Sequence, residues 1–309
     1  MKRFVYLQQI SPWGKVLILI SLIVLSALFT AFGSLLIGKL VFDIDIKSVA
    51  LLLTHPETAE EVGFMKLYQL INQFGFFIFP VIVFSFLISP NPTGYFKLDR
   101  KPQLLSLFIG AMVIYTILPF NNYLTELNLQ LKFPGFLHPM EIWMKVKEIQ
   151  AGELTDIFLK TSTISGLMIN LLVIALVPAI GEELLFRATG INLVKELTRN
   201  VHVAVLVTAF IFAFLHFQFL SFLPRFLLGL LLGYLYVISQ SLWVPIFAHF
   251  VNNASSVIIY YLHYNGSIKI SMDNFGATSN NVYIIGSFLI TLWLMFILYR
   301  QEGANRFSL

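Results

Sequence analysis

The sequence predicts an all-α fold: a polytopic transmembrane helix bundle of about eight spans, with short interfacial helices. Hydrophobic residues make up 58% of the 309 positions and charged residues 12%. A soluble domain carries roughly twice that share of charge, so most of the surface must face lipid. The chain contains no cysteine. Disulfides, thiolate metal sites and a cysteine nucleophile are therefore excluded.

Eight predominantly apolar stretches, each close to the length that crosses a bilayer, follow one another along the chain. They lie near Val16–Gly38, Leu67–Ile88, Leu104–Phe120, Ile164–Phe186, Val203–Leu220, Phe222–Ser239, Leu242–Leu262 and Val282–Tyr299. The first is too long for a signal-peptide core and is interpreted as a retained span. The third is short and ends at Pro119, and the fifth and sixth are joined tightly across Phe219–Pro224.

Two polar intervals, Leu40–Met65 and Asn121–Thr163, carry most of the carboxylates. Within the second, Met140–Ile149 is a candidate for a short interfacial helix. The chain has no internal repeat, and nothing divides it, so residues 1–309 are interpreted as a single integral membrane domain. No run of Lys and Arg indicates a nucleic-acid partner, and the partners expected are membrane lipid and a substrate.

The distribution of basic residues predicts that both termini face the cytoplasm, because cytoplasmic loops carry an excess of Lys and Arg. With the N-terminus inside, the cytoplasmic cations are Lys2, Arg3, Lys15, Lys97, Arg100, Lys101, Lys195, Arg199, Arg300 and Arg306. The location expected is the plasma membrane of a prokaryote. The sequence carries no signal for an oligomeric state.

Ionisable side chains inside the apolar stretches point to function, because each costs roughly 2.5–3.5 kcal/mol at the centre of a membrane helix. The fourth stretch contains or adjoins Glu182, Glu183 and Arg187, the fifth contains His216 and the seventh contains His249. Arg225, at the start of the sixth, is interpreted as interfacial.

Glu182 and Glu183 are adjacent, so on an α-helix they point about 100° apart and cannot both face one spot. Arg187 is four residues after Glu183, which places the two on one face as an ion pair. Glu182 has no such partner and is therefore the candidate general base. The alternative is a solvated carboxylate pair at a cytoplasmic helix end, with Arg187 reaching toward water.

His249 and Asn253 are also four residues apart and project from one face of the seventh helix, and Pro245 is expected to kink or loosen that helix just before His249. These groups, and the lone His216, can alternatively serve only to hold helices together. Gly229 and Gly233 have the spacing of a close helix–helix packing motif.

The ordered motifs Glu182-Glu183-x-x-x-Arg187, Phe212-x-x-x-His216 and His249-x-x-x-Asn253, on successive buried helices, resemble the CPBP family. This family groups type II CAAX prenyl endopeptidases with bacteriocin-processing and self-immunity (Abi) proteins. The stretch Gly229–Phe250 is also similar to members, and the resemblance covers residues 164–262, the expected catalytic core.

The resemblance implies an intramembrane endopeptidase in which Glu182 and His216 activate water, His249 and Asn253 bind the developing oxyanion, and Glu183 and Arg187 position the site. The implied substrate is a peptide or lipidated protein. The family is also named as metalloprotease, and Glu182, His216 and His249 could supply three ligands to zinc. The same residues suffice without metal, and the metal-independent mechanism is preferred because His216 has no obvious acceptor for its second ring nitrogen.

Two other functions share these residues. One is a non-catalytic immunity or scaffold protein that uses the polar cluster for binding, and the other is a transporter with Glu182 as its protonatable site.

A geometric difficulty also remains, because a simple hairpin of the fourth and fifth stretches separates Glu182 from His216 by about 10 Å in depth. A fourth helix that continues past Arg187, or a strong tilt, would remove it.

Overall fold

Apolar helices make up the architecture, as the composition predicts. The computed structural model describes residues 9–45, 49–52, 55–130, 134–272 and 274–303, and these contain no β-strand. Their principal helices are α1 (Pro12–Phe42), α2 (Ala59–Ile88), α3 (Leu104–Thr116), α4 (Leu118–Leu129), α5 (His138–Leu159), α6 (Ile164–Thr198), α7 (Val201–Phe214), α8 (Phe222–Ser239), α9 (Trp243–Tyr264) and α10 (Asn281–Glu302). Short helical turns lie at Val49–Leu52, Pro92–Tyr95, Gly135–Leu137 and Phe219–Ser221.

The all-helical polytopic class is confirmed, but the count of about eight spans is not. In the described residues five helices are long and apolar enough to cross a membrane, namely α1, α2, α6, α8 with its preceding turn, and α10. The pair α3–α4, bent by 42°, makes a sixth if it counts as one span. Each predicted stretch coincides with a helix. The count falls below eight because α7 and α9 are not among the helices that are long and apolar enough to cross a membrane. At 14 residues, α7 rises only about 21 Å, less than the ~30 Å of a hydrocarbon core.

Local signals start several of these helices. Ser11 accepts a hydrogen bond from the Gly14 backbone and Pro12 occupies the first position of α1, where its missing N–H costs nothing. Thr58 and Glu61 form a reciprocal capping box at the start of α2. Beyond its capped end α1 is mostly exposed, with Phe29 at 78%. Such an apolar surface is suited to lipid.

Polar contacts gather the helix ends into two sets. At one end Lys15 Nζ lies 2.6 Å from the Glu196 carboxylate, which joins the start of α1 to the end of α6. The start of α3 and the end of α10 meet there through Ser106 and Glu302, whose oxygens are 2.5 Å apart. We call this the basic end; its cations are Lys15, Lys97, Arg100, Lys101, Lys195, Arg199 and Arg300. Lys2, Arg3 and Arg306, on which the expected orientation also depends, lie outside the described residues.

The opposite end is organised by α5, which is longer than the predicted Met140–Ile149. Glu148 on α5 accepts hydrogen bonds from the Leu220 backbone (3.2 Å) and the Ser221 hydroxyl (2.6 Å). At the same end Asn122, on α4, donates to the Phe275 carbonyl at 3.0 Å. Asn122, Ser221 and Phe275 also line the cavity described below.

The predicted close packing at Gly229 and Gly233 is confirmed. A Cβ atom added to Gly229 would lie 3.0 Å from the Cα of Ala209, and one added to Gly233 would lie 2.8 Å from Val205 Cγ1. The two glycines therefore allow the backbone of α8 to pack closely against α7. Phe212, the last motif residue within α7, is buried in this region.

Candidate active site

The six predicted residues come from three neighbouring pieces of the chain. Glu182, Glu183 and Arg187 lie near the middle of α6, where the helix changes to a wider π-helical segment, Glu183–Ile191. His249 and Asn253 lie on α9. His216, expected on a helix, instead follows the end of α7 in a turn. Segments of π-helix are rare and frequently mark functional positions.

A buried ionic cluster lies behind the site. Glu183 is 0% and Arg187 1% exposed, and the predicted pair forms with 2.9 Å between Arg187 Nη1 and Glu183 Oε1. The same Oε1 lies 2.8 Å from His249 Nδ1. Arg187 Nη2 donates to the Gly229 carbonyl at 3.3 Å, and its guanidinium packs 4.6 Å from the centre of the Phe212 ring. Glu183 therefore connects Arg187 to His249, a link the sequence did not indicate.

The two carboxylates face opposite nitrogens of His249. Glu183 contacts Nδ1, while Glu182 Oε2 lies 3.9 Å from Nε2. Adjacent carboxylates on a helix were not expected to face the same point, and they do not contact the same atom. They can nevertheless contact one imidazole ring, because its two nitrogens point in different directions. Glu182 Oε2 is buried and has no hydrogen-bond partner among the described residues. This oxygen is the free acceptor that a general base requires.

The ring of His216 is oriented by the end of α7. Its Nδ1 lies 2.7 Å from the carbonyl oxygen of Phe212, one of the last carbonyls of a helix, which have no intrahelical partner. The chain reverses at Phe217, whose φ of 53° is uncommon for a bulky residue. The ring of Phe212 lies 4.7 Å from that of His216 and 6.0 Å from that of His249, so one phenylalanine packs against both histidines.

Asn253 completes the set on α9. Its amide nitrogen lies 3.4 Å from the Ile174 carbonyl, and its oxygen accepts from Asn252 at 3.0 Å. Pro245 does not kink this helix as expected. The helix begins at Trp243, so Pro245 occupies its first turn, where backbone N–H groups have no intrahelical acceptor.

These groups meet at a cavity of about 410 Å³. Glu182, His216, His249 and Asn253 line it, whereas Glu183 and Arg187 are not among its lining residues. Sequence reasoning missed other polar lining residues, which are Tyr115, Asn121, Asn122, Ser221, Arg225, Asn252, Ser255 and Ser256. Arg225 was interpreted as interfacial, although a charge in an apolar stretch was itself a signal.

The expected zinc ligands are only partly compatible with a metal. The contacts of His216 Nδ1 with a backbone carbonyl and of His249 Nδ1 with a carboxylate are of the kind that orient metal-bound histidines. The acceptor for His216 is a main-chain atom, so sequence inspection could not reveal it. Even so, the described residues contain no group of three His, Cys, Asp or Glu side chains arranged to hold an ion.

The comparisons with known proteins agree with the resemblance. Residues 164–255 match the family described as "Rce1-like: Type II CAAX prenyl endopeptidase Rce1-like", which confirms the resemblance to CAAX proteases over that segment. The match contains all six predicted site residues and supports a membrane peptidase. Neither a curated protein nor a solved structure matches the chain.

Proposed function

We propose that the protein is an intramembrane endopeptidase of the CAAX-protease type, which hydrolyses a peptide bond with a water molecule activated by Glu182 and His216. The observation that carries this proposal is the common cavity lined by Glu182, His216, His249 and Asn253. Peptide hydrolysis needs a base near a water molecule and preorganised donors near the carbonyl oxygen. These four side chains offer both within one buried site.

The base is Glu182, assisted by His216. Because His216 Nδ1 can donate its proton to the Phe212 carbonyl, the other ring nitrogen of neutral His216 is an acceptor and can orient water. Water attacks the carbonyl carbon, and its proton passes to the free Oε2 of Glu182. The C–O bond forms as the carbonyl π bond breaks, and the charge develops on the former carbonyl oxygen.

The oxyanion is stabilised from α9. If His249 Nδ1–H donates to Glu183, Nε2 can donate to an oxyanion only when the ring carries both protons. In the proposed mechanism His249 therefore carries both ring protons, with Glu183 at Nδ1 and Glu182 near Nε2. The second donor is the side-chain amide of Asn253. When the tetrahedral intermediate collapses, Glu182 returns its proton to the leaving amine, and the C–N bond breaks.

A peptidase assay on purified protein tests the proposal. Wild-type protein in detergent is incubated with a library of lipidated and unmodified peptides, and cleavage sites are identified by mass spectrometry. Glu182→Gln and His249→Ala should each abolish cleavage, because loss of one member of a catalytic unit costs nearly as much as loss of all. The matched control is Glu196→Gln, on the same helix, which pairs with Lys15 at the basic end and does not line the cavity. Wild-type turnover by Glu182→Gln would eliminate the general-base assignment, and no cleavage by wild type would favour a binding protein.

We further propose that the reaction needs no metal, since Glu182 and His216 suffice as described. The same assay on protein stripped with a strong chelator, with residual zinc quantified by mass spectrometry, should show unchanged turnover. Loss of activity on stripping, followed by recovery with stoichiometric zinc, would establish the metalloprotease mechanism instead.

A further inference from the structure

The turn that follows His216, residues 217–221, is stabilised by side chains from α4, α5 and α8. Its own backbone bonds run from the Phe217 N–H to the Phe214 carbonyl at 3.1 Å and from the Ser221 N–H to the Gln218 carbonyl at 3.4 Å. Three other backbone groups, in this turn and in the first residues of α8, pair with side chains 72 to 95 residues earlier in the chain. The position of the turn is therefore set largely by distant parts of the sequence.

Asn128, on α4, contacts both ends of this segment. Its amide nitrogen donates to the Phe219 carbonyl at 2.9 Å, and its amide oxygen accepts from the Leu223 N–H at 2.9 Å. Leu223 lies in the first turn of α8, where backbone N–H groups have no intrahelical acceptor, and the side chain of Ser221 does not cap this helix. Asn128, which is 3% exposed, therefore supplies from another helix the acceptor that an N-cap residue usually provides.

Glu148 contacts the same turn from α5. One carboxylate oxygen accepts from the Leu220 N–H at 3.2 Å, and the other accepts from the Ser221 hydroxyl at 2.6 Å. The ring of Trp143, also on α5, lies 5.5 Å from the ring of Phe219. A helix that is not among the candidate membrane spans thus packs directly on the turn beside the cavity.

Arg225 completes these contacts from α8. Its Nη1 donates to the Ser221 carbonyl at 3.3 Å and also contacts the Ser221 hydroxyl, while its Nη2 donates to Gln218 Oε1 at 2.5 Å. Because the Ser221 hydroxyl contacts both Glu148 and Arg225, it joins α5 to α8. A turn that only connected two helices would not need polar partners on three of them.

The ring direction of His216 depends on the chain on both sides of it. On the α7 side, Nδ1 lies 2.7 Å from the Phe212 carbonyl. On the other side the chain reverses at Phe217, whose φ is 53°, and enters the stabilised turn. A shift of the turn would rotate the His216 backbone and move its second ring nitrogen within the cavity. A displacement of about 1 Å in an active site can cost roughly 100-fold in rate.

We propose that Asn128 and Glu148 are positioning residues, which fix the turn after His216 and thereby the direction of its ring in the cavity. This rests on the proposed function, because His216 is the group that orients water there. Neither Asn128 nor Glu148 lines the cavity, so their effect must pass through the turn. They should consequently affect the rate of the bound complex more than substrate binding.

Single-turnover cleavage at saturating enzyme tests this, because unfolded protein does not lower the rate constant of the bound complex. Glu148→Ala removes both acceptors and should lower that rate constant about 10- to 100-fold, and Asn128→Ala should do the same. Glu148→Gln should lie between Glu148→Ala and wild type, since its amide can still accept from Leu220 and donate to Ser221. Glu153→Gln, an exposed position on the same helix, is the matched control and should equal wild type.

Unchanged rate constants in Glu148→Ala and Asn128→Ala would overturn the inference. If these variants only melt at lower temperature, or only need more enzyme to reach saturation, the contacts serve folding or binding and do not position His216.

A second measurement follows His216 itself and needs no substrate. In protein labelled with ¹⁵N-histidine, the His216 signals are assigned by their absence in His216→Gln. Wild type should show one tautomer, protonated at Nδ1, as donation to the Phe212 carbonyl requires. Glu148→Ala should move these signals toward the average of the two tautomers, whereas Glu153→Gln should not.

Unchanged His216 signals in Glu148→Ala would overturn the inference whether or not the protein cleaves a peptide. If the signals change as expected but wild type cleaves none of the peptides, the contacts do fix His216 and the peptidase proposal fails on its own.

Discussion

At the scale of single residues, the cluster of Glu183, Arg187 and His249 contains two residues that orient a third. Only His249 lines the cavity. Glu183 and Arg187 are almost fully buried and do not line the cavity, but Glu183 contacts the Nδ1 atom of His249. A carboxylate in this position fixes the ring and leaves Nε2 directed toward Glu182. Glu183 and Arg187 are therefore positioning residues in the proposed mechanism, and their loss should affect stability and activity differently.

Glu183→Ala should destabilise the protein by about 3–5 kcal/mol, because it leaves the buried Arg187 guanidinium without its carboxylate. The double variant Glu183→Ala with Arg187→Met removes both charges and should recover most of that stability. It should not recover peptidase activity, because His249 still lacks its acceptor. Thermal unfolding in detergent and turnover of one peptide measure the two effects. A double variant that melts lower than either single variant would show that Arg187 does not depend on Glu183.

At the scale of helices, the site depends on where α6 continues and where α7 stops. The predicted fourth stretch ended at Phe186, which put Glu182 at a helix end and about 10 Å from His216 in depth. In the structure α6 continues to Thr198, so Glu182 is central, and α7 ends at Phe214, so His216 occupies the turn that follows. Hydropathy alone could not locate either boundary. Polar residues after Phe186 hid the continuation of α6. Leu215–Leu220 is mostly apolar apart from His216 and Gln218, although it is not α-helical.

The contact between α7 and α8 is the element most sensitive to substitution. Gly229→Ala should lower stability by about 1–3 kcal/mol, since its new Cβ would meet the backbone of Ala209 at 3.0 Å. It should also reduce activity, because the Gly229 carbonyl accepts from Arg187. Gly286→Ala is the matched control, on α10, where no atom lies within 4 Å of the added Cβ. Melting temperatures of the two variants in one detergent make the comparison, and a Gly229→Ala protein as stable as Gly286→Ala would contradict the packing account.

At the scale of the whole molecule, the sequence predicted the helical class better than it predicted the number of spans. The motifs could be found because ionisable groups are rare in apolar helices, and Glu182 and His249 both interrupt such runs. The cavity wall could not be found this way. Asn121 lies on α4 and Met272 in the segment between α9 and α10, and only the tertiary fold brings them to the site. The same holds for the Phe212 carbonyl that orients His216.

The two ends of the bundle give a final expectation about orientation. Cations of the basic end lie at the start of α1, the end of α6 and the end of α10. This excess of Lys and Arg predicts that the basic end faces the cytoplasm. Met272 and Phe275 line the cavity. Phe275 also contacts Asn122 at the opposite end of the bundle. The cavity should therefore open away from the cytoplasm.

Single-cysteine labelling can test this directly, because the chain has no cysteine of its own. Met272→Cys, at the cavity, should react with a membrane-impermeant maleimide added to intact cells. Lys101→Cys, at the basic end, should react only after the cells are permeabilised. Asn265→Cys, in the segment after α9, is the positive control for the outer side. Labelling of Lys101→Cys in intact cells, with Met272→Cys protected until permeabilisation, would invert the orientation and place the cavity mouth on the cytoplasmic side.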